Sequence, residues 1–172
     1  MASLSLKKYF FTKEIIICLM SIFISSCGIF KRAEKSKTEK SESSKIANVV
    51  LSEAKSYTGT PYKYGGNDKK GIDCSGLVKN SFKKADIELP RKSVEQQNAG
   101  KEIALDDCKA GDLIFFNTSK NKSKEVNHVG IISHVKKTEI LFIHASTKKG
   151  VMESSLEEPF FKNSFVKIVR IF

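Results

Sequence analysis

The spacing of apolar residues changes once along the chain, from a helical period to a strand period. Before residue 100, apolar side chains recur every three to four positions, which predicts one helix over residues 46–57 and another over residues 74–85. Ser43 or Ser44 is the expected N-cap of the first helix and Asp73 that of the second, because their side chains accept hydrogen bonds from free first-turn N–H groups.

After a short helix expected over residues 93–99, the pattern becomes that of β-strands. Four apolar-rich runs are bounded by charged or turn-forming residues, and they cover residues 113–116, 128–135, 139–144 and 166–171. The two middle runs predict a hairpin whose connection, residues 133–139, is longer than a tight turn. Helices followed by a run of strands predict an α+β domain with a mostly antiparallel sheet.

The N-terminus carries an export pattern. Lysines precede an apolar run over residues 15–24, which is too short to span a bilayer but has the length of a signal-peptide core. Two serines follow and stand immediately before Cys27. This arrangement resembles the lipobox of bacterial lipoproteins, which implies removal of residues 1–26 and attachment of lipid to Cys27. A plain secretory signal, or a short anchor that contains a cysteine, is the alternative.

The next segment, residues 27–46, mixes charges and serines without apolar periodicity. Such a composition cannot offset the entropy lost on ordering, so we predict a flexible tether. A charged, solvated helix is the alternative, and it would serve equally as a spacer. One folded domain is then expected over residues 47–172.

Composition narrows the possible partners. The 172 residues include 30 Lys+Arg against 19 Asp+Glu, and the formal net charge of +11 favours an anionic neighbour. Nucleic acid is not expected, because the basic residues are interleaved with acidic ones and the chain carries an export signal. The four cysteines form no C-x-x-C pair and no zinc-finger spacing, so neither a disulfide scaffold nor a zinc site is predicted.

Cys74 stands where a reactive thiol is expected. It opens the predicted second helix, between Asp73 and Ser75 and after a glycine-rich loop. The positive end of the helix dipole and the free N–H groups stabilise a thiolate, so we predict a lowered pKa and a nucleophilic sulfur. The same N–H groups can serve as an oxyanion hole.

A nucleophilic cysteine needs a base, and histidine titrates near neutral pH. His128 and His144 lie on the two strands of the predicted hairpin, where one can act as base and the other can hold that base in the useful tautomer. One cysteine and two histidines are weak evidence for catalysis, because many histidines are only structural. His134, near the turn among lysines, is assigned no role, and Cys108 is expected to be a partly buried thiol outside the chemistry.

Five blocks, in order along the chain, resemble the signature of the NlpC/P60 family of cell-wall peptidases. The first is Gly-Thr-Pro-Tyr-Lys-Tyr-Gly-Gly at residues 59–66 with Gly-Ile-Asp-Cys-Ser-Gly-Leu-Val at 71–78, and the others are residues 89–93, 110–116, 128–131 and 142–146. Several ordered blocks are more specific than one motif. The resemblance covers about residues 47–172 and implies a papain-like fold, in which a nucleophile helix packs on the sheet that bears the base.

The resemblance also implies a role for each matching residue. Cys74 would be the nucleophile, His128 the general base and His144 the residue that orients His128. Tyr62 matches a tyrosine that lines the site and helps to hold the substrate or the oxyanion.

Three further residues are expected to bind substrate. Asp73 and Ser75 occupy positions where some relatives bind the free amine of the stem peptide, although roles as helix N-cap and first-turn serine fit them equally well. Arg91, in the block at residues 89–93, is the third.

The implied activity is hydrolysis of an amide bond in peptidoglycan stem peptides through an acyl-enzyme, without a metal or organic cofactor. The bond would be D-glutamyl–diaminopimelate within a stem or the D-Ala–diaminopimelate cross-link between stems. A thiol amidase or acyltransferase, and a non-catalytic wall-binding lipoprotein, are the alternatives. The protein is expected to be a lipoprotein anchored through Cys27 to the outer membrane, where it faces the wall from the periplasm. Regulation by abundance or by a protein partner is expected, and the sequence names no partner.

Overall fold

The computed structural model of the chain describes residues 39–119, 125–136 and 139–172. The predicted signal peptide, Cys27 and most of the predicted tether lie outside these residues. The chain divides into two units, Met1–Glu42 and Ser43–Phe172, and the fold described below is that of the second. In the described part of the chain, no helix has the length and apolar character needed to cross a bilayer.

The first helix, α1, is described from residue 39 and ends at residue 56. Its residues before Ile46 are mostly exposed, whereas Val50 and Ala54 are fully buried. The expectation of a flexible tether therefore does not hold for residues 39–46, and Ser43 and Ser44 lie inside the helix rather than at its N-cap. Glu and Lys are good helix formers, so this polar segment continues the amphipathic helix that follows it.

After α1, the described residues form three further helices, one 3-10 turn and eight strands. The helices are α2 (Cys74–Lys83), α3 (Ser93–Gln96) and α4 (Pro159–Ser164), with a 3-10 turn at Leu105–Asp107. The strands are β1 (Asn67–Asp68), β2 (Gly71–Ile72), β3 (Lys101–Ile103), β4 (Leu113–Phe116), β5 (His128–Lys136), β6 (Glu139–Ser146), β7 (Gly150–Ser155) and β8 (Phe165–Arg170).

The strands form one large antiparallel sheet and one small hairpin. The large sheet has the order β3-β8-β4-β5-β6-β7, with every neighbouring pair antiparallel, and β1 pairs with β2. The predicted α+β class with a mostly antiparallel sheet is confirmed.

Both faces of this sheet are buried, against different partners. Because strand side chains alternate between faces, Leu113 and Phe115 of β4 join a core shared with α1 and α2, whereas Ile114 and Phe116 join a second core that includes Phe161 of α4. We call these the helix-side core and the aromatic core. Of the predicted functional residues, Cys74 belongs to the helix-side core and His144 lies against the aromatic core.

The β5–β6 hairpin is longer in its strands and shorter in its turn than predicted. Lys136 pairs with Glu139, which leaves only two residues between the strands. The expectation of a long connection over residues 133–139 is therefore wrong. A register shift between Ile132 and His134 absorbs the extra residue on β5, so that the strands continue to pair beyond it.

Candidate active site

Cys74 lies at the N-terminus of α2, as predicted. Asp73 is the N-cap: its Oδ1 accepts the backbone N–H of Gly76 at 2.7 Å and the hydroxyl of Ser75 at 3.2 Å. Cys74 is buried, and its sulfur faces the backbone N–H of Val129 in addition to those of Ser75 and of Cys74 itself. The helix terminus and the start of β5 thus meet at the sulfur atom.

The predicted lowering of the Cys74 pKa is wrong. Burial raises the pKa of this thiol above its ordinary value, and the negative charge of Asp73 raises it further. The backbone N–H groups around the sulfur act in the opposite direction, but they do not outweigh the loss of solvation. Cys74 is therefore a protonated thiol at neutral pH in the free protein.

The two histidines form a hydrogen-bonded pair. Nε2 of His128, the first residue of β5, lies 2.9 Å from Nδ1 of His144 on β6, and the rings meet edge to face at 87°. Because Nε2 of His128 is engaged in this way, its Nδ1 is the nitrogen left for another partner. The sequence prediction that the hairpin brings these two residues together is confirmed by this geometry.

His144 is enclosed by the aromatic core. It is 3% exposed, and its ring lies 5.2 Å from that of Phe142 and 5.1 Å from that of Phe161, measured between centroids. Its Nε2 lies 3.2 Å from the hydroxyl oxygen of Ser154 on β7. Ser154 could not be singled out from the sequence, because nothing in its local pattern shows that β7 pairs with β6 at this register.

Burial holds both imidazoles in the neutral form. It lowers the pKa of His128 to about 3, with repulsion from His144 adding to the effect, and it lowers the pKa of His144 to about 4. Two neutral rings have one N–H each, so the hydrogen bond between them is directional. A neutral His128, next along the chain to Val129 whose N–H faces the protonated thiol, has the properties expected of a general base.

Gly130 provides the space in which the two rings meet. It lies two residues after His128 on the same strand, and a Cβ at this position would be 2.7 Å from Cδ2 of Phe142 and 3.5 Å from Cβ of His144. Phe142 is fully buried and has no room to withdraw. The glycine therefore allows the aromatic core to pack directly against β5 beside the histidine pair.

A pocket of about 430 Å³ opens in front of the cysteine. The residues that line it are Tyr62, Tyr64, Gly65, Asp73, Cys74, Ser75, Arg91, Lys92, Ser93 and Asn127. All four predicted substrate-binding residues, Tyr62, Asp73, Ser75 and Arg91, are among them. Asn127, which precedes His128, was not singled out from the sequence.

Tyr62 enters the pocket as a protonated phenol. Burial raises its pKa, and the charges of Cys74 and Asp73 raise it further. A neutral phenol has an O–H to donate, which suits the predicted contact with substrate or oxyanion.

Asp73 and Arg91 form a bidentate ion pair beside the cysteine. Nη1 and Nη2 of Arg91 donate to Oδ1 and Oδ2 of Asp73, each at 2.8 Å, and Nη1 also donates to the hydroxyl of Ser75 at 2.9 Å. Burial alone would raise the pKa of Asp73, but the hydrogen bonds from Arg91 and from the N–H of Gly76 lower it below its ordinary value. The carboxylate therefore stays charged and fixes both the helix cap and the pocket wall.

Gln96 was also missed in the sequence. It is fully buried on α3, and its Nε2 donates to the carbonyls of Ser75 at 3.0 Å and Pro90 at 2.8 Å. It thereby ties the first turn of α2 to the segment that presents Arg91. A glutamine in a short, polar helix gives no sequence pattern by which this burial could be recognised.

The remaining cysteine is separate from this chemistry. Cys108 is a free thiol, 8% exposed, within the aromatic core, so it is buried rather than only partly so. The described residues contain no group of three or more His, Cys, Asp or Glu side chains placed to hold a metal ion.

The order of these elements along the chain matches a known family. The NlpC/P60 family model matches residues 59–170, which include Cys74, His128 and His144. The chain belongs to the NlpC/P60 family. The family recognised from the sequence blocks is thus confirmed, and with it the class of enzyme, a cysteine peptidase.

Relatives and solved structures of the family agree. A probable endopeptidase of Haemophilus influenzae is 37% identical over 163 residues, which cover 92% of this chain and 98% of that protein. The murein DD-endopeptidase MepS/murein LD-carboxypeptidase of Escherichia coli is 36% identical over 127 residues, 73% of this chain and 63% of that protein. A crystal structure from Staphylococcus aureus, described as similar to a lipoprotein of the NLP/P60 family, superposes with a TM-score of 0.65 at 32% identity, over 74% of this chain and 42% of that chain.

Proposed function

We propose that this protein is a peptidoglycan endopeptidase that cleaves an amide bond of a murein stem peptide through an acyl-enzyme on Cys74. The observation that carries the proposal is the meeting of the N-terminus of α2 with the start of β5, where the Cys74 sulfur faces the N–H of Val129 next to His128. The pocket in front of Cys74 supplies a place for a peptide, and murein endopeptidases among the relatives supply the substrate class.

The first step joins proton transfer to attack. Because the Cys74 thiol is protonated and His128 is neutral, Nδ1 of His128 takes the thiol proton as the sulfur attacks the amide carbonyl. The S–C bond forms, the carbonyl π electrons move to oxygen, and His128 becomes an imidazolium. Its Nε2–H remains hydrogen-bonded to His144.

The oxyanion needs donors that are already in place. The backbone N–H groups at the first turn of α2 point toward the position of the sulfur, and the phenol of Tyr62 lines the same pocket. When the tetrahedral intermediate collapses, His128 returns its proton to the leaving amine as the C–N bond breaks. Water, deprotonated by the same Nδ1, then attacks the thioester, and the carboxylic acid leaves as the thiol re-forms.

The fate of the N-terminus belongs to the same proposal. The apolar run, the two serines and Cys27 support cleavage before Cys27 and its lipidation, which would hold the enzyme at a membrane, facing the wall. Metabolic labelling with a radioactive fatty acid tests this. The full chain should incorporate label, and a Cys27→Ser variant should incorporate none while still being made. Equal labelling of the two proteins would contradict lipidation at Cys27.

The activity is tested with the purified full chain and intact peptidoglycan. The peptidoglycan is incubated with the wild type, with Cys74→Ala and with Cys108→Ala, a matched control that removes the other described thiol. A muramidase then releases the muropeptides, which are identified by mass spectrometry. Wild type and Cys108→Ala should give the same cleaved muropeptides, and Cys74→Ala none above background. The residue that gains a free carboxyl group, D-Glu or D-Ala, distinguishes the D-glutamyl–diaminopimelate bond from the D-Ala–diaminopimelate cross-link. Equal cleavage by wild type and Cys74→Ala would overturn the proposal.

A further inference from the structure

Ser154 lies behind the histidine pair, at the end of a row of polar groups that runs from His128 through His144. It is 6% exposed on β7, where it pairs with Phe142, and its Oγ lies 3.2 Å from Nε2 of His144. Among the described contacts of His144, one ring nitrogen faces His128 and the other faces Ser154. The neighbouring Ser155 points the opposite way, because side chains alternate along a strand.

We propose that Ser154 is a positioning residue, which accepts a hydrogen bond from Nε2–H of His144 and so keeps His128 in the tautomer that can act as base. The proposal rests on the function proposed above. Ser154 does not contact the proposed substrate, and it would act on the tautomer of His128 through the ring of His144.

The direction of hydrogen-bond donation from His128 through His144 to Ser154 follows from the single proton on each neutral ring. For His128 to receive the thiol proton, its Nδ1 must be unprotonated, and its proton then lies on Nε2. That Nε2–H must donate to Nδ1 of His144, whose own proton is therefore on Nε2. Only an acceptor can face this last N–H, and the oxygen of Ser154 is in that position.

The opposite arrangement would disable the base. If Nδ1 of His144 carried the proton, it would donate to Nε2 of His128, and His128 would be protonated at Nδ1. That N–H would then face the thiol as a donor. The cysteine end opposes this arrangement, because the backbone N–H groups around the sulfur already occupy its acceptor side and leave its S–H to donate.

Protonation during catalysis strengthens the requirement at Ser154. When His128 is an imidazolium, both its nitrogens carry protons, so Nδ1 of His144 must accept and Nε2–H of His144 must donate. His144 is buried among aromatic rings, and among its described contacts the hydroxyl of Ser154 is the group that faces Nε2. A serine hydroxyl rotates freely enough to present its oxygen when this donor appears.

The test replaces Ser154 with alanine and with threonine, and uses Ser155→Ala as the matched control. We expect Ser154→Ala to lower kcat about ten- to hundredfold with KM within about twofold, because a buried N–H loses its acceptor. Ser154→Thr keeps the hydroxyl and should recover most of the lost kcat, and Ser155→Ala should match wild type.

A spectroscopic measurement separates positioning from simple structural damage and from failure of the proposed function. In the full chain labelled with ¹⁵N-histidine, NMR of the ring nitrogens should show His128 and His144 both protonated at Nε2 in the wild type. Ser154→Ala should give a mixture of tautomers, and Ser154→Thr should restore the wild-type pattern. This readout needs no substrate, so a tautomer change without any peptidase activity would support the positioning role while the proposed function fails. An unchanged tautomer pattern in Ser154→Ala would overturn the inference, whatever happens to kcat.

Discussion

Cys74 and the two histidines lie against different cores of the molecule, and the two regions are stabilised by different forces. Cys74 belongs to the helix-side core, and its neighbours Asp73 and Arg91 are held by charge-assisted hydrogen bonds of 2.8 Å. His128 and His144 instead lie against aromatic rings and are joined by a hydrogen bond between neutral groups. The region around Cys74 thus holds charged side chains in place, whereas the region around the histidines keeps its side chains neutral.

This difference assigns separate tasks to the two regions. The ion pair fixes the helix terminus and the pocket wall, and it keeps a permanent negative charge beside a thiol whose pKa is raised. The aromatic core keeps both imidazoles neutral. In the proposed mechanism, charge separation is thus postponed to the moment of attack, when substrate covers the site. Each of the following experiments alters one side of this arrangement.

The largest expected effect comes from removing His128, the proposed base. His128→Ala should lower kcat/KM about a thousandfold, because general-base catalysis by a positioned histidine contributes about a hundred- to ten-thousandfold. The rate at which cleaved muropeptides form, followed by mass spectrometry after muramidase digestion, measures it. His134→Ala, on the same strand but exposed, is the control and should retain wild-type activity. A loss of less than tenfold in His128→Ala would mean that another group takes the thiol proton.

Acidification should lower the free energy of unfolding, because the two histidines against the aromatic core are held neutral. A histidine whose folded pKa is depressed stabilises the fold fully above its unfolded pKa of about 6.5, and this contribution is lost as pH falls toward the folded pKa values of about 3 and 4. Two such groups lose together about 3–4 kcal/mol between pH 7.5 and pH 5. Urea unfolding at the two pH values measures this.

The control for this pH dependence separates the buried histidines from the exposed one. His144→Asn should remove about half of the difference in the free energy of unfolding between the two pH values. His134→Asn should leave that difference unchanged. If His134→Asn had the larger effect, the aromatic core would not be the origin of the pH dependence.

The region around the Asp73–Arg91 ion pair should influence the reactivity of the Cys74 thiol. With a raised pKa, the rate of Cys74 alkylation by iodoacetamide should rise about a hundredfold or more between pH 6 and pH 9, since only the thiolate reacts. Mass spectrometry of the Cys74 peptide follows this residue apart from the other cysteines. A rate already constant at pH 6 would show a preformed thiolate, as expected from the helix terminus alone, and would contradict the neutral resting state.

Local pattern was sufficient to predict much of this fold. The helix that begins at Cys74, its cap by Asp73 and the strand Leu113–Phe116 were predicted at the observed residues, because period and capping are local properties. The pairing of His128 with His144 followed from a hairpin between adjacent strands. The start of α1 was not predicted, since a polar segment shows no sequence period even when it extends a helix.

What could not be predicted depends on contacts between distant parts of the chain. The Cys74 pKa was expected to fall because the helix terminus is visible in the sequence, whereas the burial that outweighs it is created by packing against the sheet. Ser154 reaches His144 only through the register of β6 and β7, and Gln96 reaches Ser75 across 21 positions. No spacing rule connects such residues.

The smallest expected effect comes from altering the geometry of the ion pair while keeping its charge. Arg91→Lys should reduce the free energy of unfolding at pH 7 by about 1–2 kcal/mol, because an ammonium cannot replace the two parallel hydrogen bonds to Asp73. The loss is limited because the side chain of Arg91 is 36% exposed, so water can solvate part of the site. Urea unfolding measures the change, with Lys92→Arg on the neighbouring exposed lysine as control.

The same variant also tests the sign of the pH dependence on this side. An Asp whose folded pKa is depressed adds stability above its unfolded pKa of about 4, and this stability is lost as pH falls below that value. Arg91→Lys should therefore differ most from wild type at neutral pH, and the difference should shrink in acid as Asp73 gains its proton. A difference that grows on acidification would mean that Arg91 acts through something other than the Asp73 carboxylate. In that case the charged region would owe its order to packing, as the aromatic region does, and the contrast between the two would not hold.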